Sequence, residues 1–285
     1  MAKHGVIVRR LNAIENFGSM DILCTDKTGT LTEGTVLLKD ALDVQQHVSA
    51  SVLRYAFLNA FHQTGLSNPL DEAINAFGQK ANLDVRAEQK VDEIPYDFSR
   101  KRLSVVVADG QGARSLITKG ALQNVLETCN SVQYEGKACP LDDAKQAEIM
   151  EGFRRWSGQG FRVLGVAIKP ADARTGSYSR EDETGLIFVG FLLFFDPPKS
   201  DVAQTIVDLV TRGVRLKIIT GDNQLVARHV AEAVNLSIGG PLAGSDLQGL
   251  GGEAPGPAAA RAAALPRGRG ALGGRAGRAD RRRAV

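Results

Sequence analysis

The chain has 285 residues, of which 43% are hydrophobic and 24% charged. These are values of a globular protein, and the length predicts about two domains. Residues 251–285 hold eight Arg and two acidic residues, whereas the other 250 residues carry a small negative net charge. The main body is therefore expected to have no specific nucleic-acid partner.

Three widely spaced cysteines without a Cys-x-x-Cys pair indicate neither a disulfide framework nor a zinc site. They favour a reducing, cytosolic environment. The longest apolar run, Leu186–Phe195, has ten residues, and a membrane-spanning helix needs about 20. We therefore expect this chain by itself to be cytoplasmic and not to cross a bilayer.

The first predicted element is a short buried strand, Asp21–Asp26, that runs into a Gly-containing turn. Polar and amphipathic segments follow it. Helices are predicted at Val48–Phe61, at Asp71–Lys80 after a stop at Pro69, and at 142–157. Strands are predicted at Leu103–Ala108 and Ser115–Thr118, joined by an Asp-Gly turn, and at Arg162–Ile168.

A strand–helix–strand pattern begins at Asp196. Its first helix carries Val202, Ile206 and Leu209, its strand is Val214–Ile219, and a second helix follows residue 223. The stretch between residue 26 and this pattern is far too long for a crossover connection. An α/β sheet interrupted by an inserted domain is therefore predicted.

The last 35 residues, 251–285, consist mainly of Ala, Gly, Arg and Pro. Such a segment has too few apolar side chains to offset its chain entropy, so it is predicted to be disordered. Its amino acids share GC-rich codons, which suggests a frameshift or a premature end of the reading frame.

The strongest chemical signal is the run Cys-Thr-Asp-Lys-Thr-Gly-Thr-Leu-Thr at Cys24–Thr32. Asp26 ends a predicted parallel strand, which is where α/β sheets bind ligands. Gly29 permits a tight turn whose N–H groups can hold an anion. A carboxylate beside a phosphate and Mg²⁺ can accept a phosphoryl group. The alternative is an ordinary turn between a strand and a helix.

A second signal is the run Thr220-Gly221-Asp222-Asn223 after the later strand. A hydroxyl and an N–H group at a strand end can hold a transferred phosphoryl group, although a simple helix cap explains the same residues. The sequence has no Gly-x-x-x-x-Gly-Lys-Ser/Thr loop and no Gly-x-Gly-x-x-Gly run after a predicted strand. If ATP binds, another surface must hold it.

Cys24–Thr32 is identical to the phosphorylation motif of P-type ATPases, which belong to the haloacid dehalogenase superfamily. The preceding stretch, Arg10–Asp21, resembles the magnesium-transporting subfamily, and the resemblance continues to about residue 248. It implies a haloacid dehalogenase-like, Rossmann-type α/β phosphorylation domain with a large inserted α+β nucleotide-binding domain. The phosphorylation domain would comprise 1–32 and 196–250, and the insert 33–195.

The resemblance also implies residue roles. Asp26 would be phosphorylated by ATP, and its carboxylate and the Thr28 carbonyl would bind Mg²⁺. Related phosphatases carry a general acid/base Asp at the position of Thr28, a function typically worth 10²–10⁴-fold in rate. Thr28 would therefore let the aspartyl phosphate persist. The implied catalytic residues are Asp26, Lys27, Thr28, Thr220, Gly221 and Asp222.

The insert would supply the nucleotide site. Phe98 would stack on adenine, Lys119 and Gly120 would line the adenosine pocket, and the remaining residues would lie near adenine, ribose or the phosphates. The implied nucleotide-binding residues are Asp71, Phe98, Arg100, Lys101, Arg102, Lys119, Gly120, Arg162 and Asp196. Taken singly, Phe98 also fits a core residue, Arg100–Arg102 a solvated strand edge, and Lys119 a residue before a helix.

The implied function is ATP-driven cation transport. Magnesium is the expected ion, with nickel and cobalt left open, and ATP and Mg²⁺ are the expected cofactors. The parent protein is expected in the plasma (inner) membrane, held by transmembrane helices absent from this sequence, with this region cytosolic. Because the later Gly-Asp-Gly-x-Asn-Asp motif is also absent, ATP binding without efficient turnover is expected. The alternatives are a soluble phosphatase of the same superfamily and non-specific nucleic-acid binding through the basic tail.

Overall fold

The computed structural model describes Ile14 and residues 18–65, 68–173 and 176–236. Most of the stretch Arg10–Asp21 and the whole tail 251–285 lie outside these residues. Within them the fold is mixed α/β. The elements, in chain order, are β1 (Ile22–Asp26), β2 (Leu37–Asp43), α1 (Ala50–His62), α2 (Pro69–Lys80), β3 (Gln89–Asp97), β4 (Arg102–Ala108), β5 (Arg114–Ala121), α3 (Leu122–Leu126), β6 (Cys129–Tyr134), β7 (Lys137–Pro140), α4 (Asp143–Gly158), β8 (Arg162–Ala171), a 3-10 turn (Arg180–Asp182), β9 (Leu186–Phe195), α5 (Val202–Thr211), β10 (Arg215–Ile219) and α6 (Gln224–Ala233).

The smaller sheet pairs β1 with β10 in parallel, so that Asp26 lies opposite Ile219. Apolar side chains of α5, α6 and the strands form its core, which includes Leu31, Ile206 and Leu216. The prediction that the first strand is buried is wrong for the described residues. β1 has one neighbouring strand there, and its residues are partly or fully exposed.

The larger sheet has eight strands in the order β3-β4-β5-β8-β9-β6-β7, with β2 also paired to β9. Helices cover both of its faces. α1 and α2 pack on one face over side chains such as Val105 and Ile117. α3 and α4 pack on the other face over side chains such as Val106 and Leu116. This alternation follows from the period of two in a strand.

The ten-residue apolar run Leu186–Phe195 forms β9, which is buried along most of its length. A strand buried on both faces loses the alternation by which strands are recognised, which explains why this element was not assigned from sequence. No helix among the described residues is both long and apolar enough to span a membrane.

Side-chain caps fix the starts of several helices. Ser49, Asn68, Asp142 and Asn223 accept backbone N–H groups at the starts of α1, α2, α4 and α6. The predicted stop at Pro69 is wrong, because this residue begins α2. Proline is tolerated in a first turn, where its missing N–H would have had no intrahelical partner.

Two segments that join the sheets run side by side. Glu33 N donates to Pro197 O at 2.9 Å, and Lys199 N donates to Leu31 O at 3.0 Å. The carboxylate of Asp196 accepts from Thr32 Oγ1 at 2.6 Å and from Gly34 N at 3.0 Å. The chain therefore enters and leaves the larger sheet through two connections that are hydrogen-bonded to each other. We call these connections, residues 32–34 and 196–199, the hinge.

Candidate phosphoryl-transfer and nucleotide sites

Asp26 lies at the carboxyl end of β1, and it is exposed. One of its carboxylate oxygens, Oδ1, accepts from Lys27 N at 2.7 Å. The next residues form a tight turn in which Gly29 has a φ of +73°, a conformation that glycine adopts without strain. Gly29 N donates to Thr32 Oγ1 at 3.1 Å, which closes the turn. The turn thus presents an accessible carboxylate.

The run from Thr220 to Asp222 lies beside this turn, because Ile219 and Asp26 are register partners. Asp222 N donates to Thr220 Oγ1 at 3.1 Å. Lys27 Nζ lies 2.6 Å from Asp222 Oδ2, and the two side chains are 7% and 10% exposed. The structure therefore brings the two predicted motifs together through a buried ion pair.

A contact from the larger sheet reaches the same place. Arg162, the first residue of β8, has Nη1 3.9 Å from Asp222 Oδ1. Nearby, Asn223 Nδ2 donates to Ser157 Oγ at 3.2 Å. Arg162, which was predicted to face the phosphates, thus lies close to Asp222, the partner of Lys27.

The residues near Asp26 suit Mg²⁺. This ion binds oxygen ligands and is commonly held by one or two carboxylates together with substrate phosphates. Asp26 offers an exposed carboxylate, and the Thr28 carbonyl lies two residues later in the turn. Among the described residues, no cluster of three or more His, Cys, Asp or Glu side chains could hold a metal ion by itself. The site therefore fits a metal that arrives with a phosphorylated ligand.

The second group of predicted residues lies at the turn between β3 and β4. Phe98 is 86% exposed, with its ring edge-on to Tyr96 at a centroid distance of 5.4 Å. The alternative that Phe98 is a core residue is therefore wrong. Hydrogen bonds from the Ser99 hydroxyl and from the backbone N–H groups of Arg100 and Ser99 hold the pKa of Asp97 below its usual range, so this carboxylate is ionised and fixes the turn.

The three cations of this turn differ in their contacts. Arg100 and Arg102 both pair with the fully buried carboxylate of Glu183, and Arg102 Nη1 also donates to Asn124 O at 3.0 Å. These guanidinium groups are therefore not a solvated strand edge. Lys101 is exposed and has a φ of +50°. In the described ranges its ammonium makes no ion pair or hydrogen bond.

Lys119 is buried near the end of β5, and the helix α3 begins three residues later, as the alternative for this residue expected. Its ammonium pairs with the buried carboxylate of Asp71, at the start of α2. Burial lowers the pKa of Lys119, and the charge and hydrogen bond of Asp71 oppose that shift. Two residues predicted near adenine thus form one buried pair.

The backbone of Gly120 lies very close to other protein atoms and does not border open space. A Cβ at this position would lie 2.5 Å from Lys101 O and 2.5 Å from Arg102 Cβ. Real Cβ atoms do not come so close, so only glycine fits here without a shift of the chain. Gly120 therefore lets β5 lie against the end of the Phe98 turn.

A cavity of about 460 Å³ opens beside Glu183 and is lined by Arg102, Glu127, Cys129 and Arg180 among others. Arg102 and Ser104 alternate along β4 with Leu103, and Leu103 is the register partner of Lys119. The cavity therefore lies on the face of the sheet opposite to Lys119 and was not predicted from sequence.

A match to a known protein family identifies the class of protein to which this chain belongs. Residues 51–201 match the family described as "P-type ATPase, cytoplasmic domain N". This match covers more than half of the chain, and the chain belongs to the P-type ATPase family.

Three relatives show which members of this family the chain resembles in sequence. The chain is 44% identical over 263 residues to "Magnesium-transporting ATPase, P-type 1" of Salmonella typhimurium, which covers 92% of this chain and 29% of that protein. It is 44% identical to the Escherichia coli protein of the same name over 88% of this chain and 28% of that protein. It is 29% identical to "Calcium-transporting ATPase 1" of Lactococcus lactis. The chain thus spans less than a third of the length of these relatives.

Glu183 is the functional candidate that sequence reasoning missed. It lies in a polar segment before β9, and no motif surrounds it. A sequence signal was lacking because its partners lie 83 and 81 residues away along the chain.

Proposed function

We propose that this chain is the phosphorylation and ATP-binding region of a P-type cation-transporting ATPase, with Mg²⁺ as the transported ion. The phosphorylation domain comprises 1–32 and 196–250, has a haloacid dehalogenase-like, Rossmann-type fold, and carries the nucleotide-binding domain 33–195 as an insert. The observation that carries this proposal is the exposed carboxylate of Asp26 beside Thr220 and the buried Lys27–Asp222 pair. In the parent protein, membrane-spanning segments outside this sequence hold the region at the cytosolic face.

In the proposed reaction, a carboxylate oxygen of Asp26 forms a bond to the γ-phosphorus of ATP while the bond from that phosphorus to the β,γ-bridging oxygen breaks. ADP leaves with that oxygen, and an aspartyl phosphate remains. Asp26 and the Thr28 carbonyl would hold Mg²⁺, which supplies charge neutralisation for phosphoryl transfer. Thr220 and Gly221 supply a hydroxyl and an N–H group for the phosphoryl oxygens. Thr28 has no carboxylate to accept a proton from an attacking water, so hydrolysis of the aspartyl phosphate is slow.

Lys27 acts at this site through Asp222. Its ammonium is buried, and its partner is buried with it. A buried charge requires compensation, and Asp222 supplies it while remaining within reach of Arg162. The pair therefore holds the strand ends that carry Asp26 and Thr220 at a fixed spacing.

The nucleotide is proposed to bind at the exposed ring of Phe98, with the Lys119–Asp71 pair at the base of its pocket. Stacking of one base on an aromatic ring contributes about 1–3 kcal/mol. Lys101 is the cation of this turn assigned to phosphate oxygens, because Arg100 and Arg102 are bound to Glu183. Asp196 is assigned to the hinge rather than to ribose, because both of its oxygens accept hydrogen bonds there.

ATP binding tests the nucleotide site. Isothermal titration of the whole chain with ATP is expected to show one site, weakened about 5- to 100-fold in Phe98→Ala. Phe61→Ala is a matched control, since Phe61 is an aromatic residue that is 51% exposed at the end of α1. Unchanged affinity in Phe98→Ala would contradict the assignment.

Phosphorylation tests the catalytic residue. With γ-labelled ATP and Mg²⁺, we expect slow, substoichiometric labelling that hydroxylamine releases and that Asp26→Asn abolishes. Slow labelling is expected because Asp222, which lies on the neighbouring strand end, is bound to Lys27 and does not complete a Mg²⁺ site with Asp26. Label that persists in Asp26→Asn would refute the proposal. Sustained hydrolysis of p-nitrophenyl phosphate would indicate a phosphatase instead.

A further inference from the structure

Glu183 is fully buried, with a side chain that is 0% exposed. Its Oε2 accepts from Arg102 Nε at 2.8 Å and from Arg100 Nη1. Its Oε1 accepts from Ser104 Oγ at 2.7 Å. Two guanidinium groups and a hydroxyl therefore converge on one buried carboxylate, and each comes from the chain that follows Phe98.

The segment that carries Glu183 holds the same turn at a second point. Arg180 Nη2 lies 2.8 Å from Asp97 Oδ2, so residues 179–183, which we call the clamp, contact the turn both before and after Phe98. The clamp is itself anchored to β8, because Lys169 Nζ donates to Asp182 O at 2.8 Å and to Thr184 O at 2.9 Å. The turn is thus tied through the clamp to the middle of the larger sheet.

Glu183 cannot touch a nucleotide bound at Phe98 and Lys119. Ser104 and Arg102 lie on one face of β4, and Leu103 lies on the other. Leu103 is the register partner of Lys119, so Glu183 and Lys119 are on opposite faces of the sheet. Any effect of Glu183 on nucleotide binding must pass through the turn.

The turn needs such support. Lys101 is in the left-handed region, with a φ of +50°, which non-glycine residues adopt at a cost. Arg100 Nη2 additionally donates to Pro95 O at 2.6 Å, across the base of the turn. The ring of Phe98 is 86% exposed and packs edge-on to Tyr96. Its placement thus depends on the backbone of the turn rather than on a surrounding core.

We propose that Glu183 is a positioning residue for nucleotide binding, which fixes Arg100 and Arg102 from behind the sheet so that the ring of Phe98 is presented to the base of the nucleotide. This inference rests on the proposed function, in which ATP binds at Phe98. Arg100 and Arg102 are accordingly structural cations of the turn.

The sign of the effect separates positioning from direct electrostatics. If Glu183 acted on the phosphates through its charge, Glu183→Gln would remove a repulsion and tighten ATP binding. If it positions the Phe98 turn, the same change weakens binding, and it weakens adenosine and ATP by a similar factor because the stacked base is common to both. We expect a loss of about 5- to 50-fold for each ligand, which is within the range that one stacked base contributes.

The experiment is isothermal titration of the whole chain with adenosine and with ATP, for Glu183→Gln, Phe98→Ala and the double variant. Glu181→Gln is the matched control, since Glu181 is an exposed glutamate of the same clamp. Positioning predicts that Glu183→Gln causes no further loss once Phe98 is absent. If Glu183→Gln fails to fold, as judged by circular dichroism, Arg100→Gln removes the outer partner and is expected to give the same pattern.

Unchanged affinity, tighter ATP binding, or a full additional loss in the Phe98→Ala background would each overturn the inference while leaving the proposed function intact. If Phe98→Ala has no effect on either ligand, the proposed nucleotide site fails, and the role of Glu183 fails with it.

Discussion

Removing the carboxylate of Asp222 is expected to unfold the smaller sheet while leaving the larger one folded. Asp222→Ala leaves the Lys27 ammonium buried at 7% exposure without its partner at 2.6 Å. Breaking a buried pair by removing one member costs about 3–5 kcal/mol. Whole domains are stable by about 5–15 kcal/mol, and the smaller sheet has two strands and a small core in the described residues. The free energy lost in Asp222→Ala is therefore expected to equal most of the stability of the smaller sheet.

Hydrogen exchange measured by mass spectrometry separates the two sheets. We expect protection to fall in peptides that cover β1 and β10, whereas the fluorescence transition of Trp156, which lies in the core of the larger sheet, stays in place. Glu232→Ala in α6 is the control, because its pair with Arg228 is exposed and such pairs contribute about 0.3–0.5 kcal/mol.

A double variant, Lys27→Met with Asp222→Ala, tests whether the unpaired buried charge causes the loss of stability. Replacing both members of a buried pair by apolar side chains is often nearly neutral, so Lys27→Met should restore much of the protection lost in Asp222→Ala. Equal exchange in Asp222→Ala and Glu232→Ala, or no recovery in the double variant, would refute the reasoning.

Two further predictions concern other buried contacts. Gly160 has a φ of +86°, and a Cβ there would lie 2.3 Å from the ring of His229. Gly160→Ala should therefore lower stability by about 1–3 kcal/mol in thermal unfolding, in part reversed by His229→Ala; an unchanged melting temperature would contradict this packing. Burial raises the pKa of the Cys129 thiol from 9.0 to about 12, so its neutral form is favoured in the folded state. The buried thiol therefore contributes its full share to the free energy of unfolding below about pH 9, and this share is lost as the pH rises towards 12. In urea unfolding at pH 8, 10 and 11, the free energy of unfolding should decline less with pH in Cys129→Ala than in the unsubstituted chain.

The helices were largely predictable because their apolar spacing and caps are local. The helix predicted at 142–157 is confirmed at Asp143–Gly158, where Asp142 supplies the cap. The hairpin predicted around the Asp-Gly turn is confirmed as β4 and β5. In contrast, β2 and β3 were missed, and both contain register shifts in their pairing. A bulge interrupts the period of two on which recognition of a strand depends.

The candidate site shows the same division between local and distant information. The run Cys24–Thr32 and the run at Thr220 could be singled out from sequence because each is contiguous. The pair Lys27–Asp222 joins residues far apart in the chain, and Glu183 reaches its partners through folding alone. The candidate residues were therefore visible in the sequence as separate motifs, whereas the charge pairs around them required the three-dimensional structure.

The run Cys24–Thr32 has a structural role besides the proposed reaction at Asp26. Its first part places the carboxylate and the turn, and its last part connects the turn to other elements. Leu31 is in the core of the smaller sheet, and the fully buried Thr32 donates to Asp196 across the hinge. Lys199, on the other side of the hinge, donates to Gly29 O at 3.0 Å. Because these hydrogen bonds join the turn to the hinge, a shift of the backbone at Gly29 would strain or break them.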